Sequence, residues 1–279
     1  MKKLLFTLTL AMAVSMAANA KIVEISLADD SKKVIPTSEI SALDFNADGT
    51  IEITDYKGES LGTTSAFTDL TIGTEEAVYN EADMQLDFTY DGTTYMTRDT
   101  HKIYFVYPST DPAGNPISLS GVIIIPENIY SGTNNSEGIL LFNHFTVFNK
   151  DEAPTRDYTY LESLFLANPL NPNYIIVESD FYGFGATERF PQAYVQGIVN
   201  GRTNLDCLLA AKRLLDERGF DYGPLTFNVG YSSGGFDALA TQKARDMEYA
   251  DVINFDKTFA GGSPSNLKKA YRQYVKIDS

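Results

Sequence analysis

The sequence predicts a mostly parallel α/β sheet covered by helices on both faces, preceded by a small β-rich module. Three observations point there. From about residue 86 onward, apolar β-branched runs alternate with segments of helical spacing, the rhythm of a parallel sheet whose crossovers are helices. Residues 21–72 instead hold short alternating runs, "IVEISL", "ALDF" and "IEIT", separated by Asp, Gly and Ser turns, which is a hairpin pattern. Between them the acidic stretch around "TEEAVYNEADM" has the composition of a connector, so residues 73–85 are expected to be a linker and 86–279 the main domain.

The expected strands of that domain are "KIYFVYP", "SGVIIIP", "GILLFNH", "YIIVESD", "LTFNVGY" and "KTFAGG". Between the third and fourth, "RDYTYLESLFLA" places Tyr158, Leu161, Leu164 and Phe165 at helical spacing. Between the fourth and fifth, "NLDCLLAAKRLLDERG" places Leu205, Leu208 and Leu209 on one face and ends on Gly219. A further helix is expected to start near Gly235 and to turn Phe236, Leu239 and Ala240 inward.

Composition limits the partners. The net charge of −15 becomes more negative once Lys2 and Lys3 are removed, which makes nucleic acid and anionic membrane poor partners, so neither is expected. Residues 1–20, with two lysines ahead of a short apolar run and Ala18-Asn19-Ala20 at its end, form a secretory signal peptide. The mature chain is expected to be exported, cut near Ala20, with no transmembrane segment. Cys207 is the single cysteine and lies in a helical pattern, which predicts a buried, inert thiol and a fold that rests on its apolar core.

Gly230-Tyr231-Ser232-Ser233-Gly234 matches G-x-S-x-G, with an apolar strand before it and a helical pattern after it. The flanking glycines let the backbone pass too close for a side chain, which thrusts the serine hydroxyl into the open. The start of the following helix turns its amides and positive dipole end toward the serine, where a developing oxyanion would be stabilised. Such a serine needs a base, and the chain holds two histidines, His101 and His144, both upstream. His144 in "NHFTVF" is expected to shape the wall of a pocket or to be a satisfied, partly buried imidazole, its place beside the oxyanion loop suiting a general base poorly. His101 precedes the first core strand and is expected on the surface.

The ordered set "LLFNHFTV", "ESDFYGFGAT", "LDCLLAAKRLL", "VGYSSGGFDAL" and "FAGGSPSNL" resembles the secretory lipase and related exported esterase branch of the α/β-hydrolases, over roughly residues 100–270. The resemblance implies an ester hydrolase acting on a small-molecule ester or lipid through an acyl-enzyme on Ser232. It makes the amide of Ser233 one oxyanion donor and that of Phe145 or Thr146 the second, with Asp180 bracing its loop. Phe145 stands where that family usually has glycine. No cofactor and no metal is implied. A secreted peptidase of the same fold, or a binding protein that keeps the elbow for packing, stays open as an alternative. In the family the acid and the histidine follow the serine, whereas no histidine follows Ser232 here. The expectation is therefore that these residues are the front part of a longer hydrolase.

Residues 44–55, "DFNADGTIEITD", fit the offsets of a calcium loop through Asp44, Asn46, Asp48, Gly49 and Asp55. The same residues fit a hairpin closed by an Asn-Ala-Asp-Gly turn, and the absence of a helical stripe in "YKGESLGTTS" favours the hairpin.

Overall fold

A computed structural model describes residues 22–26, 32–36, 39–45, 50–64, 70–73, 76–156 and 173–266. The expected signal peptide, residues 1–20, and the helix expected over 156–167, from residue 157 on, lie outside them. The N-terminal part holds β1 (Ile22–Ser26), β2 (Lys32–Pro36), β3 (Ile40–Phe45), β4 (Ile51–Asp55), β5 (Ser60–Thr64) and β6 (Leu70–Gly73). They form two antiparallel three-stranded sheets, in the orders β2-β1-β6 and β3-β4-β5, as the hairpin pattern predicts. Ile35 and Ile53 are buried in them.

β3 and β4 pair antiparallel with Asp44 opposite Glu52 and Phe45 opposite Ile51, so residues 44–55 contain a hairpin, whose tip at 46–49 lies outside the described residues. The Asp55 carboxylate is already engaged: its Oδ1 accepts from the amides of Lys57 at 2.8 Å and Glu59 at 2.7 Å in the next turn. Millimolar Ca²⁺ is accordingly expected to leave the unfolding temperature unchanged, whereas a ligand at a hundred times its Kd would add about 2.7 kcal/mol. A calcium-dependent rise that disappears in Asp48→Ala would contradict the hairpin.

The main sheet is built from β7 (Ala77–Tyr90), β8 (Thr93–Thr110), β9 (Pro116–Pro126), β10 (Gly138–Asn143), β11 (Tyr174–Ser179), β12 (Leu225–Tyr231) and β13 (Lys257–Gly261). Its order is β13-β12-β10-β11-β9-β8-β7. The four strands from β11 to β13 run parallel, β9 runs against β11 and β8, and β7 runs against β8. All six strands expected of the main domain are present. The connector expected over 73–85 is not one, because residues 77–85 belong to β7, paired along its length with β8. Its polar alternation is that of an edge strand with one wet face, where Leu86 is buried and its neighbours Gln85 and Asp87 are exposed.

Alternation also divides the core. On β9, Leu119, Ile123 and Ile125 join the cluster formed with Leu205, Cys207, Leu208 and Ala211, whereas Val122 and Ile124 join Leu140, Phe142 and Ile176 on the other face. The first four helical residues come from α2 (Gly197–Glu217), which follows the short α1 (Glu127–Tyr130) and precedes α3 (Ser233–Ala244). Cys207 is fully buried, and burial pushes its thiol pKa up, so it is inert as expected. Gly201 lets α2 and α3 cross closely, since a Cβ there would stand 2.7 Å from the carbonyl of Ala240.

Two expectations are corrected. α3 starts at Ser233, and it buries Gly234, Gly235, Asp237, Ala238 and Thr241 while Leu239 is exposed; the inward face follows the small residues that can approach β10 and β13. His101 is buried rather than on the surface. Its Nδ1 lies 2.8 Å from Asp83 and its Nε2 3.0 Å from Glu81, both on β7, and its ring stacks on Tyr130 at 3.8 Å. The partners come from a strand that the sequence disguises as a connector.

Candidate active site

Ser232 sits between β12 and α3 at φ 55°, ψ −120°. This is a backbone conformation that a side-chain-bearing residue adopts only when its surroundings force it, at a cost of about 1–3 kcal/mol. The forcing contacts are visible. The Ser232 amide donates to the carbonyl of Gly261 at 2.9 Å, and the Ser232 carbonyl accepts the first helical bond, from Phe236. A Cβ on Gly230 would stand 2.0 Å from the carbonyl oxygen of Gly234, and one on Gly235 2.4 Å from that of Gly261. A Cβ on Gly234 would stand 2.1 Å from the carbonyl oxygen of Asn143. Glycine is thus required at all three positions by close approach of backbone. Ser233, next in the chain, is buried and opens α3, so its amide belongs to the unsatisfied first turn of that helix.

The last of those contacts joins the elbow to the loop after β10. The carbonyls of Asn143 and His144 press against Gly234, which places residues 143–146 beside the first turn of α3. Phe145 is buried, with its ring edge-on to Tyr231 at 5.9 Å and to Phe142 at 6.0 Å. Thr146 is half-buried, and its hydroxyl lies 3.4 Å from that of Tyr194. The structure therefore brings Ser232, Ser233, Phe145 and Thr146 into one neighbourhood at the carboxyl ends of β10 and β12, where open α/β sheets bind their ligands.

His144 shares this neighbourhood, and its ring lies against the loop that follows β11. The imidazole packs 4.7 Å from Phe181 and 6.0 Å from Phe184, on the loop that follows β11, and β10 separates that loop from β12. Its Nδ1 lies 2.7 Å from the carbonyl of Phe145. Burial lowers its pKa to about 4, against the opposing pull of the Phe145 and Asp180 carbonyls, so the ring is neutral at pH 7. His101 is farther still: β8 lies four strand positions from β12, roughly 19 Å at the usual strand spacing. Among the described residues, no hydrogen bond joins a histidine to Ser232.

Asp180 braces the loop after β11. Its carboxylate accepts from the Ser120 hydroxyl and from both the amide and the hydroxyl of Thr155, tying three segments together at a fully buried point. Burial raises its pKa, and these donors oppose the rise. Gly185 is required beside it, since a Cβ there would stand 2.0 Å from Oδ2 of Asp180. Sequence reasoning overlooked Asn143, Asn204, Asn228 and Thr241, all fully buried around the elbow. Their signal in the sequence is a polar residue at an inward position of an otherwise apolar strand or helix.

No protein-family model matches the sequence, and no curated protein matches it. Solved structures do. A Legionella pneumophila protein that carries a hydrolase name superposes with a TM-score of 0.56 at 22% identity, over 67% of this chain and 52% of its own. The rice cell wall degrading esterase LipA from Xanthomonas oryzae superposes with a TM-score of 0.54 at 19% identity, over 70% of this chain and 52% of its own. A single-site variant of that esterase gives 0.56 at 18% identity over the same shares. The chain spans about half the length of these structures. Among the described residues, no helix is long and apolar enough to cross a membrane. The strand order, the antiparallel β9 within a mostly parallel sheet and these neighbours together give the chain the fold of the α/β-hydrolases.

Proposed function

We propose that this chain carries the nucleophile of an exported serine ester hydrolase of the secretory lipase and esterase kind. The observation that carries the reading is the strained Ser232, held at φ 55° between strand and helix by glycines that nothing larger could replace. A strained serine persists where the surroundings over-determine it, and such strain concentrates at catalytic positions. In this reading the Ser232 Oγ adds to the ester carbonyl while its proton passes to a base. The amides of Ser233 and of Phe145 or Thr146 hold the resulting oxyanion. Collapse of that intermediate breaks the ester C–O bond, the alcohol leaves with the proton, and water then releases the acid from Ser232. The reading takes that base, and the acid that orients it, to be groups other than the two histidines. His101 is held by Asp83 and Glu81, and His144 packs on Phe181 and Phe184 with its Nδ1 at the Phe145 carbonyl.

An alkyl fluorophosphonate tests the nucleophile, with imidazole added in solution as the base. Ser232 is expected to be phosphonylated with loss of fluoride, as located by peptide mass spectrometry, and the Ser232→Ala variant to stay unlabelled. No labelling above that variant would make the elbow a packing relic in a non-catalytic protein. Export is tested separately: material recovered outside the cytoplasm is expected to begin at Lys21 by intact mass, and retention of residues 1–20 would contradict it.

A further inference from the structure

Asn143 ends β10, immediately before the loop that carries Phe145 and Thr146, and its carboxamide is fully used. Its Nδ2 donates to Oδ1 of Asn228 at 2.8 Å and to the carbonyl of Val229 at 2.9 Å, both on β12. Its Oδ1 accepts from Nδ2 of Asn204 on α2 and lies 3.5 Å from the hydroxyl of Thr241 on α3. Asn204 also donates to that hydroxyl at 3.0 Å, and Asn228 donates to the carbonyl of Ala238 on α3 at 2.8 Å. Asn143, Asn204, Asn228 and Thr241 are each 0% exposed.

Four buried polar side chains are a costly way to fill space, because each must be stripped of water and then satisfied, and apolar residues of similar shape would pack without that cost. What the carboxamides supply is direction, since directed hydrogen bonds restrict the packing to few arrangements where an apolar contact has many. Asn143 has all its side-chain polar atoms bonded, whereas Oδ1 of Asn204 has no hydrogen-bond partner. The elements it locks together are the two that bear the oxyanion amides, namely β10 with its loop and β12 with α3. The backbone of Asn143 is also the partner against which Gly234 is pressed. We infer that Asn143 is a positioning residue that sets the oxyanion-loop amide in register with Ser232 and Ser233, with Asn204, Asn228 and Thr241 holding its carboxamide. The inference rests on the ester hydrolase reading, and it adds that the geometry of the second amide is imposed from the core side of the loop.

Labelling kinetics separate this role from a structural one. With the fluorophosphonate and added imidazole, Asn143→Leu is expected to lower the maximal labelling rate at Ser232 on the order of 10²-fold after correction for folded fraction, with the half-saturating probe concentration unchanged. Thr258→Val serves as the control. It removes the hydroxyl that touches Asn228 and Gln242 at the far end of the same network, and is expected to leave the corrected rate unaltered. Should Asn143→Leu not fold, Thr241→Val takes its place with a smaller expected loss, a few-fold. Corrected rates equal to wild type in the variant that folds would overturn the inference while leaving the reading intact. A wild-type chain that does not label at Ser232 would instead remove the reading itself.

Discussion

The 279-residue chain is expected to hydrolyse a p-nitrophenyl ester no faster than its Ser232→Ala variant. An oxyanion hole without a base retains roughly 10³- to 10⁴-fold over water, but that remnant does not depend on an activated serine, so deleting the hydroxyl removes nothing further. Imidazole supplied in solution as the base should separate the variants, raising turnover of the wild type above that of Ser232→Ala. Robust turnover by the 279 residues alone, abolished in His144→Ala, would sink this account. It would require the His144 ring to leave Phe181 and Phe184 and to take up a proton despite a pKa of about 4.

Gly234→Ala is expected to be among the most damaging single-methyl changes at the described residues. Helix propensity alone argues the other way, since alanine in place of glycine within a helix stabilises by about 1 kcal/mol. The steric argument wins, because the new Cβ would stand 2.1 Å from the Asn143 carbonyl oxygen and 2.7 Å from that of His144, and both are backbone atoms fixed by the sheet. Overpacking of this kind costs about 3 kcal/mol or more, which for a chain of this size lowers the unfolding temperature by roughly 6–12 °C. Gly132→Ala supplies the comparison. That glycine has φ +71° with nothing near its Cβ, so the change should cost only the ~1 kcal/mol of a strained backbone. Equal unfolding temperatures for the two variants, measured by calorimetry, would show that the elbow can relax away from the loop.

The elbow was legible in the sequence from its glycines and serine at fixed offsets after an apolar strand. The central strands were legible because runs such as "SGVIIIP" and "YIIVESD" are apolar on both faces, and a strand buried on both faces declares itself without help from its neighbours. β7 did not, because only its partner makes it a strand: "AVYNEADMQLDFTY" turns much of its length to water, and acidity of that kind also marks connectors. The misplacement of His101 follows from the same cause, since Glu81 and Asp83, which bury it, belong to β7. On α3 the inward face is made of glycine, alanine and threonine, so a search for large apolar residues settles on Leu239, which faces solvent. Asn143 was illegible for a different reason. A polar residue at a strand end reads as a turn former until its partners on β12, α2 and α3 are known.

The two margins of the main sheet are unlike as templates. At one, β7 carries Glu81, Asp83 and Asp87, of which Glu81 pairs with Arg218 and both Glu81 and Asp83 pair with His101. At the other, among the described residues, β13 is paired on one side only, through β12; Phe259 is half-exposed, and Lys257 is the strand's one charged residue. Among the described residues, the β13 margin is therefore the less charged of the two edges, the kind that accepts a further strand.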